Sequence, residues 1–418
     1  MDSRWEKHAD ESLAGQVEKI VFDVELPAPI DGVESRPDLS ALKKTGSELW
    51  LDTGDRDAAS KNWAAELTGL TTNNTLANQV VQKGVCDDVI SRAVEALRGA
   101  DAPLDEDGMV VEVGFVVNVA IARSLVSTFG AHVSVELHPD LAHDVEASVM
   151  FAKRYFSIDP ENFYVKVPLT PAGAIAVRRL AEDGIKVNFT LGFSARQNHL
   201  LARISRPTFV NVFLGRDNQV VVENELGDGK YVGEKATLAS QNDVTEAREK
   251  GLTQTKQIAA SLRGADQVIT LAGVDVHTIP PGVMEKFCAM NVDPAKLAPH
   301  LDADLPVEVK SDAVRVLWEI PDSFRAMTEA LDREDVSKMT PGELVESIRN
   351  SGVPDLFGDY GPEDFTAIRA KGKIPDLSQW KNRSLALDDL LTVSALEAFA
   401  KDQEALDARI AGFIKKTS

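Results

Sequence analysis

Lys166 lies in the run Phe163-Tyr164-Val165-Lys166-Val167-Pro168, and a lysine among such neighbours is uncommon, because lysine is rarely buried. Apolar flanks would desolvate its ammonium and favour the free amine. An amine of that kind attacks a carbonyl to form a Schiff base. The plainer alternative is a lysine that snorkels to solvent or pairs with a structural carboxylate. Two carboxylates, Asp52 and Glu136, stand at the ends of other strand-like runs. A Schiff-base enzyme that breaks a carbon–carbon bond needs one group to exchange a proton with the substrate hydroxyl, and others to handle water at the imine. Either carboxylate could equally cap a helix or neutralise the lysine. Arg216, Ser261 and Arg263 suggest a phosphate clamp, since guanidinium forks grip phosphate and hydroxyls or helix N-termini add donors. Surface ion pairing is the ordinary alternative for either arginine.

These residues need a scaffold that brings distant strand ends together. Short runs rich in β-branched residues alternate with helix-length segments: SELWLD (47–52), TGLTTN (68–73), HVSVEL (132–137), FYVKVP (163–168), KVNFTLGF (186–193), FVNVFLGR (209–216), KQIAAS (256–261) and VHTIPP (276–281). Strands spaced this way imply right-handed βαβ units and a parallel sheet. Eight of them predict a closed α/β barrel, a single (β/α)8 TIM barrel, whose active site is built at the C-terminal strand ends. Those ends supply Asp52, Asn73, Glu136, Lys166, Thr190, Asn211 with Arg216, and Ser261. Several runs are apolar almost throughout, as strands covered on both faces should be. Among the helices, Thr170-Pro171 opens AGAIAVRRLAEDG, with Ile175, Val177 and Leu180 on one side and Gly184 as a stop. ISRAVEALR (90–98) carries a similar stripe.

Three parts are expected: a polar, Pro-punctuated N-terminal extension (1–45) that wraps the barrel, the barrel (46–300), and a helical C-terminal appendage (301–418). In the appendage SDAVRVLWEI, SFRAMTEALD, TPGELVESIRNSG and the last stretch LTVSALEAFAKDQEALDARIAGFIKK read as helical, and PDLFGDYGPEDF as a loop or short turns. The appendage either packs on the barrel or joins subunits, which leaves a homodimer open.

Composition narrows the partners. The net charge is −21, which weighs against nucleic acid, because phosphate backbones are held by clustered Lys and Arg. A small phosphorylated substrate needs only two or three cations in one pocket. No apolar run approaches the roughly 20 residues of a bilayer span, and the first residues have no signal-peptide stretch. Two cysteines, Cys86 and Cys288, have neither metal nor disulfide spacing, so they are read as small buried apolar groups in a cytoplasmic protein. Gly227-Asp228-Gly229-Lys230-Tyr231-Val232-Gly233 lacks dinucleotide-loop spacing. His132, His138 and His143 lack zinc spacing. Trp50 and Trp63 suit packing.

ELWLDTGDRD, GLTTNNTLANQ, VSVELHPDLAHD, YVKVPLTPAGAIAVRRLAEDGIKVNFTLGFSARQ, FVNVFLGR, AASLR and LAGVDVHTIPP resemble the successive motifs of transaldolases, in the same order. The resemblance spans about residues 47 to 290, with a weaker echo in the final helix. It implies that Lys166 is the Schiff-base lysine and Asp52 the acid/base at the hydroxyl beside the cleaved bond. Glu136, acting with Thr190 through a water, would manage proton transfer at the imine. It further implies that Asn73 orients a dihydroxyacetone moiety, that Arg216, Ser261 and Arg263 bind the substrate phosphate, and that Phe213 lines the site.

Three positions depart from that pattern. Asn74 stands where the family usually has proline, Asn211 where it has the serine that contacts the dihydroxyacetone unit, and His138 where an aspartate is common. The first would loosen a rigid loop. Asn211 would make the pocket narrower and differently polarised. The implied activity is transfer of a three-carbon unit from a ketose phosphate to an aldehyde, with no metal or organic cofactor, because the protonated imine itself withdraws electrons. Two alternatives stay open: an aldolase or specialised transferase with a changed donor or acceptor, and a sugar-phosphate-binding barrel without turnover.

Overall fold

The computed structural model describes residues 1–99, 104–380 and 385–416. Eight parallel strands close in chain order: β1 (Glu48–Asp52), β2 (Leu67–Thr71), β3 (His132–Glu136), β4 (Phe163–Pro168), β5 (Val187–Thr190), β6 (Phe209–Phe213), β7 (Lys256–Ala260) and β8 (Val276–Ile279), with β8 pairing back onto β1. This is the (β/α)8 barrel that the alternation predicts. Every strand lies within one residue of its expected start. β1 and β4 also end where expected, and the other six expected ends run on by one to three residues into the loops that follow the strands.

Register fixes which side chains meet. Glu136 sits beside Lys166, Lys166 beside Asn188, and Pro168 beside Thr190. At the other end of the barrel Trp50 is fully buried, packed edge-on against Phe209 at 5.1 Å and tilted against Tyr164 at 5.7 Å. A Cβ on Gly69 would stand 2.7 Å from that indole, so glycine there makes room for the plug. Trp50 is core, as its sequence context suggests.

The N-terminal segment is more structured than its polar composition predicts. The Glu11–Phe22 helix buries Leu13, Val17 and Val21 at i, i+4 and i+8, and packs on the Glu106–Phe129 helix. That second helix corrects an expectation: it has the length and hydropathy of a membrane span. In this fold 78 % of its most apolar window is buried in protein, and its Glu112 carboxylate is held by His8 at 2.6 Å and by Arg154 at 2.6 and 2.9 Å. One apolar core runs from Trp5 to Ile414.

Beyond the barrel the chain forms a 3-10 turn at Asp312–Leu317 and helices at Asp322–Leu331, Pro341–Asn350, Pro362–Lys371 and Leu387–Lys416. SDAVRVLWEI is thus a short turn rather than a full helix, and the loop before Gly361 leads directly into a helix. The Leu387–Lys416 helix returns to the C-terminal ends of the strands. Its Asp388 receives two bonds from buried Arg196, each 2.8 Å, and one from Ser194 at 2.7 Å.

Candidate active site

Eight of the ten site residues named from sequence line one cavity of about 160 Å³: Lys166, Asp52, Asn73, Asn211, Phe213, Arg216, Ser261 and Arg263. Glu136 and Thr190 lie next to it, at the ends of β3 and β5. All come from the C-terminal end of the barrel.

Lys166 is 4 % exposed. Its Nζ donates to the Thr72 carbonyl at 3.2 Å and stands 3.5 Å from Glu136 Oε2. Burial pushes the Glu136 carboxyl up to about 7, with the lysine charge and the Asn74 backbone N–H pulling the other way. A carboxyl poised there can give or take a proton near neutrality. Thr190 Oγ1 and Glu136 Oε2 are both buried without a hydrogen-bond partner among the described residues. Burial also raises Asp52, against the opposing pull of Lys166, Thr71 and Arg263. Thr71 donates to Asp52 Oδ1 at 2.7 Å and touches Thr278 Oγ1 at 2.6 Å, which fixes the carboxylate's rotamer and leaves its second oxygen for chemistry.

The part of the cavity that holds Arg216, Ser261 and Arg263 is built by close backbone approach. A Cβ on Gly215 would meet the Ser261 carbonyl oxygen at 2.1 Å and Arg263 Cγ at 2.8 Å. Glycine there lets the ends of β6 and β7 touch, so Arg216, in the first turn of the Leu214–Glu223 helix, sits beside Ser261 and Arg263. Ser261 itself holds φ at 65°, a left-handed conformation that a non-glycine residue adopts at a cost. Arg216 is 5 % exposed, with its guanidinium 5.5 Å from the Phe213 ring and 5.6 Å from Phe399. Burial, helped by Arg263, lowers it to about 10. Arg216 Nη1 and Ser261 Oγ have no hydrogen-bond partner among the described residues. Buried polar groups are normally satisfied, so these two atoms keep unmet hydrogen-bonding capacity beside the cavity.

The departures resolve differently. Asn211 is fully engaged in the barrel: its Nδ2 donates to Asn188 Oδ1 at 3.1 Å and to the Phe189 carbonyl at 3.2 Å, and its Oδ1 accepts from Gly192 at 3.4 Å. Both Nδ2 hydrogens are therefore partnered within the barrel, at a residue that also lines the cavity. His138 faces the last helix, 3.1 Å from Asp407 Oδ2, and does not line the cavity. Asn74 is the first residue of the Asn74–Gln82 helix, and its Nδ2 reaches Leu137 O and Gln403 Oε1 at 3.3 and 3.0 Å. It thus bonds to the Leu387–Lys416 helix instead of loosening the loop. Asn73 caps the same helix through Oδ1, at 2.8 Å from Leu76 N.

Residues not anticipated from sequence also line the cavity, among them Asn188, Thr71, Thr278, Phe399 and Lys373. Asn188 carried a usable signal: a polar residue two positions before Thr190, hence on the same strand face. Phe399 and Lys373 come from the C-terminal region and had none.

A model of the family described as Transaldolase/Fructose-6-phosphate aldolase matches residues 49–339. A transaldolase of Xanthomonas campestris pv. campestris is 29 % identical over 265 residues, covering 62 % of this chain and 80 % of that protein. A probable transaldolase of Dictyostelium discoideum is 25 % identical over 300 residues, covering 69 % and 91 %. A transaldolase of Prochlorococcus marinus subsp. pastoris is 28 % identical over 264 residues, covering 60 % and 76 %. With the family model spanning more than half of its length around this cavity, the chain belongs to the transaldolase/fructose-6-phosphate aldolase family.

Proposed function

We propose that this enzyme transfers a dihydroxyacetone unit from a ketose phosphate to an aldehyde acceptor through an imine on Lys166. The observation that carries this is a buried amine 3.5 Å from a carboxyl poised near neutrality, in a cavity that also holds Asp52 and two arginines without carboxylate partners among the described residues. The Lys166 amine attacks the ketone carbonyl, and loss of water leaves the protonated imine. Glu136 and Thr190, through a water held between them, move the protons of that dehydration. Asp52 takes the proton of the hydroxyl beside the scissile bond. The bond breaks, the aldehyde product leaves, and the electron pair is held as the enamine. The enamine then adds to the acceptor, Asp52 returns its proton, and water releases the product. Asn73 orients the three-carbon unit with its free Nδ2, Asn211 and Phe213 shape the pocket, and Arg216, Ser261 and Arg263 hold the phosphate.

Product analysis with fructose 6-phosphate, with and without an aldehyde acceptor, tests this directly. Consumption that depends on acceptor supports transfer. Release of free dihydroxyacetone without acceptor would make the protein an aldolase instead, the other activity in the family's description.

Arg216→Ala is expected to raise KM for the phosphorylated ketose by about tenfold to a hundredfold, the worth of a charge-assisted contact of roughly 1.5 to 3 kcal/mol. KM for the unphosphorylated analogue should change far less. Equal losses on both substrates would show Arg216 to be structural.

The Asn74 N–H gives a second expectation. Proline has no N–H yet suits the first helical position. Asn74→Pro therefore removes a donor that favours the ionised Glu136, so this carboxyl, already raised to about 7, rises further. The rise of kcat/KM with pH should move to higher pH by about half a unit to one unit. Asn74→Ala keeps the N–H and should leave the limb in place. Identical profiles for Asn74→Pro and wild type would exclude this control of Glu136.

A further inference from the structure

Besides Lys166, three cations converge on the cavity, and the third comes from the region appended to the barrel. Lys373 lines the cavity with Arg216 and Arg263. It follows Gly372, which ends the Pro362–Lys371 helix at φ 90° and turns the chain back toward the barrel. Asn224, just beyond the helix that carries Arg216, pins the segment that follows: its Nδ2 donates to the Pro375 carbonyl at 3.0 Å, and its Oδ1 accepts from Leu377 N at 2.9 Å. Ile374 between them is buried. The backbone that carries Lys373 is thereby anchored to the element that carries Arg216.

We propose that Lys373 is a phosphate-binding specificity residue, the third cation of the substrate's phosphate site. This rests on the sugar-phosphate activity proposed above. Among the described residues Arg216 Nη1 has no hydrogen-bond partner and the Arg263 guanidinium reaches only the Leu262 carbonyl, although the chain carries a net charge of −21. The acidic influence on Lys373 is Asp402, which accepts from the Thr75 hydroxyl. Burial and the repulsion of Arg216 and Arg263 lower Lys373, against the pull of Asp402. Lys373 is exposed where it lines the cavity, and like charges brought together there repel unless an anion joins them. A phosphate dianion supplies both the charge and enough acceptor oxygens for two guanidinium groups, the Ser261 hydroxyl and one ammonium. The appendage is thus a working wall of the active site: it adds a flexible point charge where the barrel supplies only rigid forks.

The test uses the full-length protein with Lys373→Ala, Lys373→Arg and, as a control, Lys371→Ala, which alters an exposed lysine outside the cavity. Inorganic phosphate affinity is read by calorimetry, and KM and kcat are read on fructose 6-phosphate and on fructose. Lys373→Ala should weaken phosphate by about tenfold and raise KM for fructose 6-phosphate by a similar factor, with kcat much less affected. Lys373→Arg should recover most of that loss, and Lys371→Ala should match wild type. Unchanged phosphate affinity in Lys373→Ala overturns the proposal, as does an equal loss on fructose and fructose 6-phosphate. Should wild type not consume fructose 6-phosphate, the sugar-phosphate activity falls, and the calorimetric comparison alone decides Lys373.

Discussion

Lys166→Ala is expected to abolish turnover, by at least about 10⁴-fold in kcat, while the protein stays folded. Removing the amine removes the covalent step, and the remaining binding contacts cannot replace it. Survival of the fold follows from the carboxyl beside the lysine. Stranding a charge by deleting its buried partner usually costs about 3 to 5 kcal/mol. Glu136, however, is already raised to about 7 with the lysine present. Without the ammonium both Glu136 and Asp52, which Lys166 also pulls down, rise further toward their neutral forms, so little charge is left buried. Circular dichroism should show a native spectrum and a melting temperature lowered by a few degrees. A folded Lys166→Ala protein with wild-type-like activity would refute the covalent mechanism.

Asp52→Asn should be the next most damaging change. The amide keeps the shape of the side chain and can still accept from Thr71 through its oxygen, but it cannot take the proton of the substrate hydroxyl. General-base loss of this kind costs about 10²- to 10⁴-fold in kcat, with little change in KM. Imine formation precedes the step that needs Asp52, so the variant should still form a borohydride-reducible adduct with the donor while failing to cleave it. Loss of the adduct together with turnover would place Asp52 at imine formation and remove it from bond cleavage.

The barrel was legible because its signal is distributed: eight β-branched runs at helix-length spacing leave few other topologies. The candidate site was legible for a related reason. In a barrel the strand ends converge, so one polar residue at the end of each predicted strand is already a spatial list. The Glu106–Phe129 helix was harder to read, since it is apolar nearly all round and buried on most sides. It shows no amphipathic period, and its many valines resemble strand. Lys373 and Phe399 reach the cavity only through tertiary packing of the appended region, and nothing in their local sequence distinguishes them from other surface lysines and helix-face aromatics. Asn211 marks the opposite limit. Its identity could be read as a change in the pocket, but its partners Asn188, Phe189 and Gly192 could not, and they decide what the amide does.

The central claim is a covalent bond between Lys166 and the donor ketose. Incubation with fructose 6-phosphate, reduction with borohydride and mass mapping of the digested protein measures that bond at a single residue. A reduced donor-derived adduct should be found on the peptide containing Lys166, and should be missing from Lys166→Ala. An adduct confined to another lysine, or none at saturating donor, would contradict the mechanism.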